Sequence, residues 1–167
     1  MSGFVIRAAE QGDLPALLTI YNHYVENTSI TFDVGARTLA QRQAWFDQFG
    51  TSGRYQCLVG TKGGEVIGWA CSARFKERAA YDTTVETSIY LASGEVGRGY
   101  GRRLYSALFE AIAGKDLHCA FGGVTLPNEA SVGLHLAMGF TPVGVLHEAG
   151  RKFGRYWDVG WYQKNLE

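Results

Sequence analysis

The sequence lacks features that define several broad classes of protein. Its 16 basic and 16 acidic residues cancel, so the net charge favours neither a nucleic-acid partner nor a membrane-surface partner. No apolar run approaches the length of a membrane-spanning helix. Arg7, Glu10 and Asp13 interrupt the region in which a secretory signal would need apolar residues. We therefore expect a cytoplasmic protein with no membrane partner.

Cysteine is scarce, and histidine shows no metal-binding pattern. Cys57, Cys71 and Cys119 are odd in number, lack metal-ligand spacing and lie within apolar runs. We expect them to be buried free thiols, because free cysteine behaves as a small apolar residue. No pair among the four histidines has metal-ligand spacing either, so we expect no metal.

Apolar and aromatic residues are abundant. The 167 residues are 46% hydrophobic and include 9 Tyr, 9 Phe and 4 Trp. That composition can fill one hydrophobic core, and no repeat, low-complexity segment or linker divides the chain. We expect a single domain over residues 1–167.

Four segments have the pattern of helices. Asp13 can cap the first, with Pro15 in its first turn, and Thr38 with Gln41 forms a capping box for the second. The second helix should bury the stripe Leu39, Trp45, Phe46 and Phe49. The third runs from Tyr100 to Gly114, and the fourth follows Asn128 and ends near Met138 and Gly139.

Seven segments have the pattern of strands. They are Phe4 to Ala8, Tyr55 to Gly60, Glu65 to Ser72, Thr84 to Leu91, His118 to Leu126, and two antiparallel strands within Phe140 to Leu166 that join near Gly150 to Gly154. The pattern predicts an α/β chain of about seven strands and four helices.

Glu86 is an unusual residue for the middle of a strand. Alternation along residues 84–91 places it on the face opposite Val85, Ile89 and Leu91. A carboxylate there is a candidate for proton transfer, and a surface or salt-bridged glutamate is the alternative.

A glycine-rich loop joins this strand to the third helix. Such a loop presents unpaired backbone N–H groups at the positive end of the helix dipole, which favours an anion. A dinucleotide fingerprint fails because its third glycine position holds Leu104, and a nucleotide-triphosphate loop fails because Tyr100, not Lys, follows Gly99. A tight turn without a ligand is the remaining alternative.

Two motifs at this point resemble the GNAT acetyltransferases. The family's Q/R-x-x-G-x-G/A loop resembles residues 96–101, VGRGYG, and its N-x-x-A/S-x-x-L-Y/H-x-x-x-G-F motif resembles residues 128–140. The segments IYNHYVENT, KERAAYDTTVETSIYL, LPNEASVGLH and GRYWDVGWYQ are similar to the phosphinothricin and methionine sulfoximine acetyltransferase branch. The resemblance covers almost the whole chain.

The resemblance implies the GNAT fold, a mixed, mostly antiparallel sheet flanked by helices, and a homodimer. It implies acetyl-CoA as cosubstrate, held in a gap between the fourth and fifth strands. The implied cofactor contacts are Ile89, Tyr90, Leu91, Gly97, Arg98, Gly99, Tyr100, Gly101, Arg102, Asn128 and Ser131. Asn128 can equally be a helix cap. Val96 replaces the family's Gln or Arg, so we expect weaker CoA binding unless Arg98 or Arg102 substitutes.

The resemblance also implies the chemistry. The acceptor is the amine of a small amino-acid-like molecule, Glu86 is its general base, and His135 transfers a proton or positions the thioester. With an α-amino pKa of about 8, one carboxylate suffices as the base. The implied acceptor contacts are Phe32, Lys76, Arg78, Tyr81, Thr87 and Ser88. The cations among them suit a carboxylate or phosphinate, although loop Lys and Arg are ordinarily solvated.

Two other functions stay open. One is acetylation of protein N-termini or other amines, which differs only in the acceptor. The other is a non-catalytic acyl-CoA-binding regulator, which the presence of both Glu86 and His135 disfavours.

Overall fold

The computed structural model describes residues 3–166. Within that range the strands are β1 (Phe4–Ala8), β2 (Gln56–Lys62), β3 (Glu65–Arg74), β4 (Thr84–Leu91), β5 (Cys119–Leu126), β6 (Thr141–Lys152) and β7 (Arg155–Asn165). The α-helices are α1 (Leu14–Asn27), α2 (Leu39–Phe46), α3 (Tyr100–Ile112) and α4 (Glu129–Ala137). The predicted order and number of elements are confirmed, and the predicted boundaries differ by a few residues.

The strands of the described chain form one sheet in the order β1-β2-β3-β4-β5-β7-β6. β4 and β5 are parallel, because α3 carries the chain across the sheet between them. The other neighbouring pairs are antiparallel. The mixed, mostly antiparallel sheet is therefore confirmed.

Helices cover both faces of the sheet and bury a separate apolar cluster on each. On one face, α1 contributes Leu17 and Val25, which lie in the same cluster as Trp69 of β3. On the other face, α3 contributes Leu104 and Leu108. The alternating residues of β4 therefore face two different layers, and the aliphatic set faces α3.

The starts of the first two helices differ in their capping. Thr38 and Gln41 form the predicted capping box at α2. Asp13 precedes α1 but does not cap it with its side chain. Its carboxylate instead accepts hydrogen bonds from Arg7 at 2.7 Å and from the Glu10 backbone N–H at 2.8 Å. The predicted N-cap position of Asp13 and the position of Pro15 in the first turn are therefore confirmed, but the Asp13 side chain makes no capping bond to α1 because Arg7 and the Glu10 N–H occupy its carboxylate.

The buried stripe of α2 also differs from the prediction. Leu39 is 51% exposed, so its assignment to the stripe is wrong. Arg42 takes the buried position and is only 6% exposed. Its guanidinium lies over the rings of Tyr21 and Trp45, which cover the charge. Apolar periodicity does not detect a cation buried in this way.

The three cysteines are buried and carry free thiols, as predicted. Cys57 and Cys71 lie opposite each other on β2 and β3. Burial raises the pKa of Cys71 to about 12, so its thiol stays protonated. None of the helices described between residues 3 and 166 is long and apolar enough to cross a membrane.

Candidate active site

The sheet opens between β4 and β5. Across the described chain, their pairing extends from Thr84 opposite Cys119 to Glu86 opposite Phe121. β4 then continues to Leu91 beside β3, while β5 continues beside β7. We call the opening between residues 87–91 and β5 the β4–β5 gap. Its presence confirms the predicted separation of the two strands.

The direction of the β4 backbone determines which residues face this gap. The Ala92 N–H donates to the Ile67 C=O at 2.8 Å, so β4 bonds to β3 at that position. Hydrogen bonding alternates along an antiparallel strand. The N–H and C=O groups of Tyr90 therefore face β3, whereas those of Ile89 and Leu91 face the gap. Two of the three predicted backbone contacts have the orientation that they require.

Tyr24 of α1 contacts the end of the same gap. Its hydroxyl donates to the Leu91 C=O at 2.5 Å, and burial raises the pKa of Tyr24, which keeps the hydroxyl protonated. Within residues 3–166, the β4–β5 register assigns Ile89 no partner on β5. Ile89 thus directs one donor and one acceptor into the gap.

Glu86 lies where the two strands separate. Its side chain is on the face of β4 that carries Ser88 and Tyr90, opposite the aliphatic set, as predicted. Burial raises the pKa of the carboxyl group, and no hydrogen bond or nearby charge contributes to that shift. The salt-bridged alternative is therefore absent among the described residues. A carboxylate with a raised pKa is a stronger base.

Two cavities meet at Glu86. The larger, of about 500 Å³, lies between β3, β4, α2 and the segment before α2. The smaller, of about 60 Å³, follows the β4–β5 gap towards α4. Glu86, Ser88 and Tyr90 line both cavities. The Glu86 carboxylate can therefore contact a molecule in either cavity.

His135 lies at the inner end of the smaller cavity and is 4% exposed. Its Nδ1 is 2.7 Å from the Ser131 C=O, which can only accept, so Nδ1 carries the proton. Nε2 therefore accepts from the Tyr105 hydroxyl at 3.3 Å. Tyr105 and Thr87 are also joined at 2.7 Å. Burial lowers the pKa of His135, which favours this neutral form.

The surroundings of His135 are tightly packed. Its ring lies 4.9 Å from that of Phe140 and 5.9 Å from that of Tyr162, measured between centroids. A Cβ added to Gly122 would lie 2.6 Å from Nε2, so only glycine leaves room there for the imidazole. Both ring nitrogens are thus occupied in a rigid setting, which favours a positioning role over direct proton transfer.

The glycine loop adopts conformations that require glycine. Gly97 and Gly99 both have φ of 80°, and Gly99 precedes α3 as its N-cap. The helical bonding of α3 begins with the Arg103 N–H donating to the Gly99 C=O at 3.3 Å. The N–H groups of Tyr100, Gly101 and Arg102 therefore lie in the first turn, where helices have no internal acceptor.

The start of α3 lies against β4 at Gly101. An added Cβ on Gly101 would be within 3.5 to 3.9 Å of Leu134, Leu91 and Ile89. The first turn of α3 therefore packs directly on the end of β4 that borders the β4–β5 gap.

The cations of this loop lie at its outer surface. Arg98 is exposed and lies 3.6 Å from Glu95, while Arg102 is exposed on the first turn of α3. Val96, the departure from the family motif, is 50% exposed. The loop therefore presents backbone N–H groups at the first turn of α3 and exposed arginine side chains beside them.

Asn128 and Ser131 line the smaller cavity. The Asn128 side chain also accepts from the Ser131 N–H at 3.1 Å and so caps α4. The capping interpretation is confirmed, and the cavity position is compatible with a second role.

The predicted acceptor residues separate into two groups. Ser88 lines both cavities and Thr87 lines the smaller. In the described chain, the residues lining the two cavities do not include Phe32, Lys76, Arg78 or Tyr81. Phe32 packs against Gly150 of β6, and Lys76 lies over the Tyr81 ring at 5.3 Å. The role of these four residues in acceptor binding stays a prediction.

Sequence reasoning missed most of the larger cavity. Besides the β4 residues, its lining comprises Tyr21, Asp33, Arg37, Gln41, Arg42, Trp45, Trp69, Cys71 and Ala73. These residues come from α1, α2, β3 and the segment before α2, which only the tertiary structure brings together. One local signal existed, since Arg42 lies three residues before Trp45 on an otherwise aromatic face. No cluster of three or more His, Cys, Asp or Glu side chains suited to a metal ion occurs within residues 3–166.

Known proteins share this sequence and fold. A family profile described as an acetyltransferase (GNAT) domain matches residues 6–161. A phosphinothricin N-acetyltransferase of Streptomyces coelicolor is 45% identical over 163 residues, covering 96% of this chain and 95% of that protein. A methionine sulfoximine/methionine sulfone acetyltransferase of Pseudomonas paraeruginosa is 36% identical over 162 residues, covering 97% and 94%.

A solved structure of a related acetyltransferase has the same fold as this chain. The phosphinothricin acetyltransferase of Sinorhizobium meliloti, crystallised in complex with AcCoA, superposes with a TM-score of 0.90 at 30% identity. The match covers 99% of this chain and 89% of that one. With the family profile spanning nearly the whole sequence, these matches establish that the chain belongs to the GNAT acetyltransferase family and is an N-acetyltransferase.

Proposed function

We propose that this enzyme transfers the acetyl group of acetyl-CoA to the primary amine of a small amino-acid-like acceptor, with Glu86 as general base. The observation that carries the proposal is the position of Glu86, unpaired within the described chain and shared by two cavities on either side of the sheet opening. The relatives named for phosphinothricin and for methionine sulfoximine or sulfone support this acceptor class.

The residues along the β4–β5 gap fit acetyl-CoA. The first turn of α3, entered through two glycines with positive φ, suits a pyrophosphate. The gap-facing N–H and C=O groups of Ile89 suit the amide-bearing arm, and Asn128 and Ser131 line its inner part. When bound, acetyl-CoA supplies an activated acetyl thioester. Backbone donors of β4 would stabilise negative charge on the thioester oxygen.

Glu86 prepares the acceptor. An amine attacks only as the free base, and Glu86 accepts its proton either directly or through a water molecule. The larger cavity holds the acceptor with its amine towards Glu86, and the thioester reaches the same point from the smaller cavity. The amine nitrogen would add to the thioester carbonyl to form the C–N bond, and the C–S bond would then break as the carbonyl re-forms. The proton taken by Glu86 would pass to solvent or to the departing thiolate.

In this proposal His135 helps to position the thioester and does not donate a proton to the leaving group. Its Nε2 accepts from Tyr105, so the neutral ring has no second proton to give to a leaving group. The Thr87, Tyr105 and His135 chain holds the wall of the smaller cavity in one arrangement. That wall would set the position of the thioester relative to Glu86.

We also propose that the chain acts as a homodimer. β6 is an edge strand of the described sheet, and Val143, Val145 and Leu146 along it are 43 to 57% exposed. Phe153 and Tyr156 at the adjoining hairpin are exposed as well. Exposed apolar edge strands are commonly covered by a partner. Light scattering during size-exclusion chromatography tests this, and a monomer at micromolar concentration contradicts it.

We propose a cytoplasmic location because the cysteines are unpaired. Cys57, Cys71 and Cys119 are all free and buried, which suits a reducing compartment. Fractionation of cells that express the chain with a C-terminal tag tests the location.

One assay tests the proposed function. Release of free thiol from acetyl-CoA is measured with phosphinothricin, methionine sulfoximine and methionine sulfone, and in parallel with peptides that have a free N-terminus. We expect turnover with at least one amino-acid analogue and little with peptides. The reverse preference identifies an N-terminal acetyltransferase. Thermal stabilisation by acetyl-CoA without thiol release on any amine identifies a binding protein.

A further inference from the structure

Arg42 has an environment that is difficult to explain by packing alone. The residue lies in α2, and its side chain lines the larger cavity while being 6% exposed. Its guanidinium carbon is 4.3 Å from the Tyr21 ring, 3.4 Å from the Trp45 ring and 4.9 Å from the Trp69 ring. We call these three residues the aromatic box of Arg42.

The aromatic box covers the charge without satisfying its donors. Nε and Nη2 of Arg42 are buried and have no hydrogen-bond partner within residues 3–166. Ring faces attract a cation, but they do not accept the directional N–H bonds that a planar guanidinium offers. Buried charged donors normally have partners, so an unpartnered pair of this kind points to an anionic ligand.

Neighbouring carboxylates do not fill that role. Asp33 lies in the same cavity, but it accepts from Arg37 through Nε at 2.9 Å and from the Tyr21 hydroxyl at 2.5 Å. No ion pair joins Arg42 to Asp33 or to Glu86 among the described residues. The lining of the larger cavity therefore includes one cation and one anion that are both without an ionic partner, Arg42 and Glu86.

An α-amino acid is the complement of that arrangement. Its ammonium group suits Glu86, and its carboxylate suits Arg42. Arg42 and Glu86 line the same cavity, and Cys71 lines it as well. Nε and Nη2 form one edge of the guanidinium, which can bind both oxygens of a carboxylate.

We propose that Arg42 binds the α-carboxylate of the acceptor and thereby selects amino acids over simple amines. This inference rests on the proposed acetyl transfer to an amino-acid-like acceptor. Nε and Nη2 are sealed from water in this conformation, so the guanidinium turns this edge towards the cavity when the carboxylate enters. The aromatic box keeps the guanidinium beside the cavity before binding, so the acceptor has to induce only this turn of the group.

Two acceptors isolate the carboxylate. Methionine sulfone has the α-carboxylate as its sole anion, and 3-(methylsulfonyl)propylamine is the same molecule without it. We expect wild-type kcat/KM to be at least about 30-fold higher for methionine sulfone. This comparison needs no variant, and equal kcat/KM values for the two acceptors overturn the proposal.

Two substitutions then assign the preference to Arg42. Arg42→Met keeps an unbranched chain in the aromatic box, and it should lower kcat/KM for methionine sulfone about 30-fold or more, mainly through KM. It should change kcat/KM for the decarboxylated amine and the KM for acetyl-CoA by less than about threefold. Arg42→Lys, which keeps the charge but not the two-donor edge, should recover part of the loss.

The matched control is Arg54→Met. Arg54 pairs with Asp116 and is not among the residues that line either cavity in the described chain, so its loss should leave both acceptors unaffected. If Arg42→Met lowers kcat/KM equally for both acceptors, Arg42 is structural and the proposal fails. Calorimetric binding of methionine sulfone provides an independent readout, and equal Kd for the wild type and Arg42→Met also overturns it. Absence of turnover with every acceptor would instead refute the proposed function.

Discussion

Replacing Glu86 by Gln tests the mechanism most directly. The amide keeps the shape of the side chain and removes both its charge and its basicity. No hydrogen bond or nearby charge contributes to the raised pKa of Glu86, so the substitution should disturb few contacts. We expect kcat/KM at pH 7 to fall by about 10²- to 10⁴-fold, the usual contribution of a general base.

The pH dependence separates two ways in which Glu86 could act. With an amine pKa of about 8, about a tenth of the acceptor is neutral at pH 7. If Glu86 only removes the proton before attack, the loss should be about tenfold and should disappear above the pKa of the amine. If it accepts the proton during attack, a larger loss persists at pH 9. The position of Glu86 in the lining of both cavities, where acceptor and thioester would meet, favours the second outcome.

Stability should change in the opposite direction from activity. Burial raises the pKa of Glu86 above its unfolded value, so the folded state binds this proton more tightly. The free energy of unfolding therefore decreases as pH rises from the unfolded pKa through the raised folded pKa, and the whole penalty is present above it. Glu86→Gln removes that penalty, so its Tm at pH 7 should equal or exceed that of the wild type.

The assay is thiol release between about pH 6 and pH 9 with saturating acetyl-CoA. Glu65→Gln is the matched control, because Glu65 is exposed at the start of β3 and is not among the described residues that line either cavity. The reasoning is refuted if Glu86→Gln stays within about threefold of the wild type across this range. A large loss of Tm would instead show that the carboxylate has a structural partner.

Three further substitutions test the rest of the site. Tyr105→Phe removes the hydroxyl that donates to the buried Nε2 of His135, so the free energy of unfolding should fall by about 1 to 3 kcal/mol in urea titrations. An unchanged free energy of unfolding would mean that Tyr105 does not donate a hydrogen bond to Nε2. Gly99→Ala imposes a side chain at φ of 80° and should cost about 1 to 2 kcal/mol, whereas Gly94→Ala, with open space around it, should cost less; equal costs contradict the strain argument. Val96→Arg should lower the Kd for acetyl-CoA by about three- to tenfold at low salt and by less at high salt, and an unchanged Kd means that Val96 is not a weak point.

Much of the fold follows from local patterns. The capping box at Thr38, the alternation along β4 and the glycines before α3 are each set by residues a few positions apart. Local preferences of this kind act in any tertiary context, so the elements and their order could be predicted. The placement of Glu86 away from the aliphatic face of β4 follows from the same alternation.

The limits of local reasoning are clear at Arg42 and Asp13. A polar residue on a helix is expected to face solvent, yet Arg42 is buried because rings from α1, α2 and β3 converge on it. Asp13 is a residue type that commonly caps helices, yet its carboxylate forms an ion pair with Arg7. The burial of Arg42 and the hydrogen bonding of Asp13 are thus both decided by side chains that lie outside the local pattern of the helix.

The sequence alone therefore determined the order of elements, the glycine loop and the face on which Glu86 lies, because neighbouring residues set these features. The tertiary structure alone decided which backbone groups face the β4–β5 gap, which hydroxyl group Nε2 of His135 meets, and the unpaired cation in the larger cavity. Each of these depends on which strand or ring lies across from a residue, and such contacts join positions that are tens of residues apart in the chain.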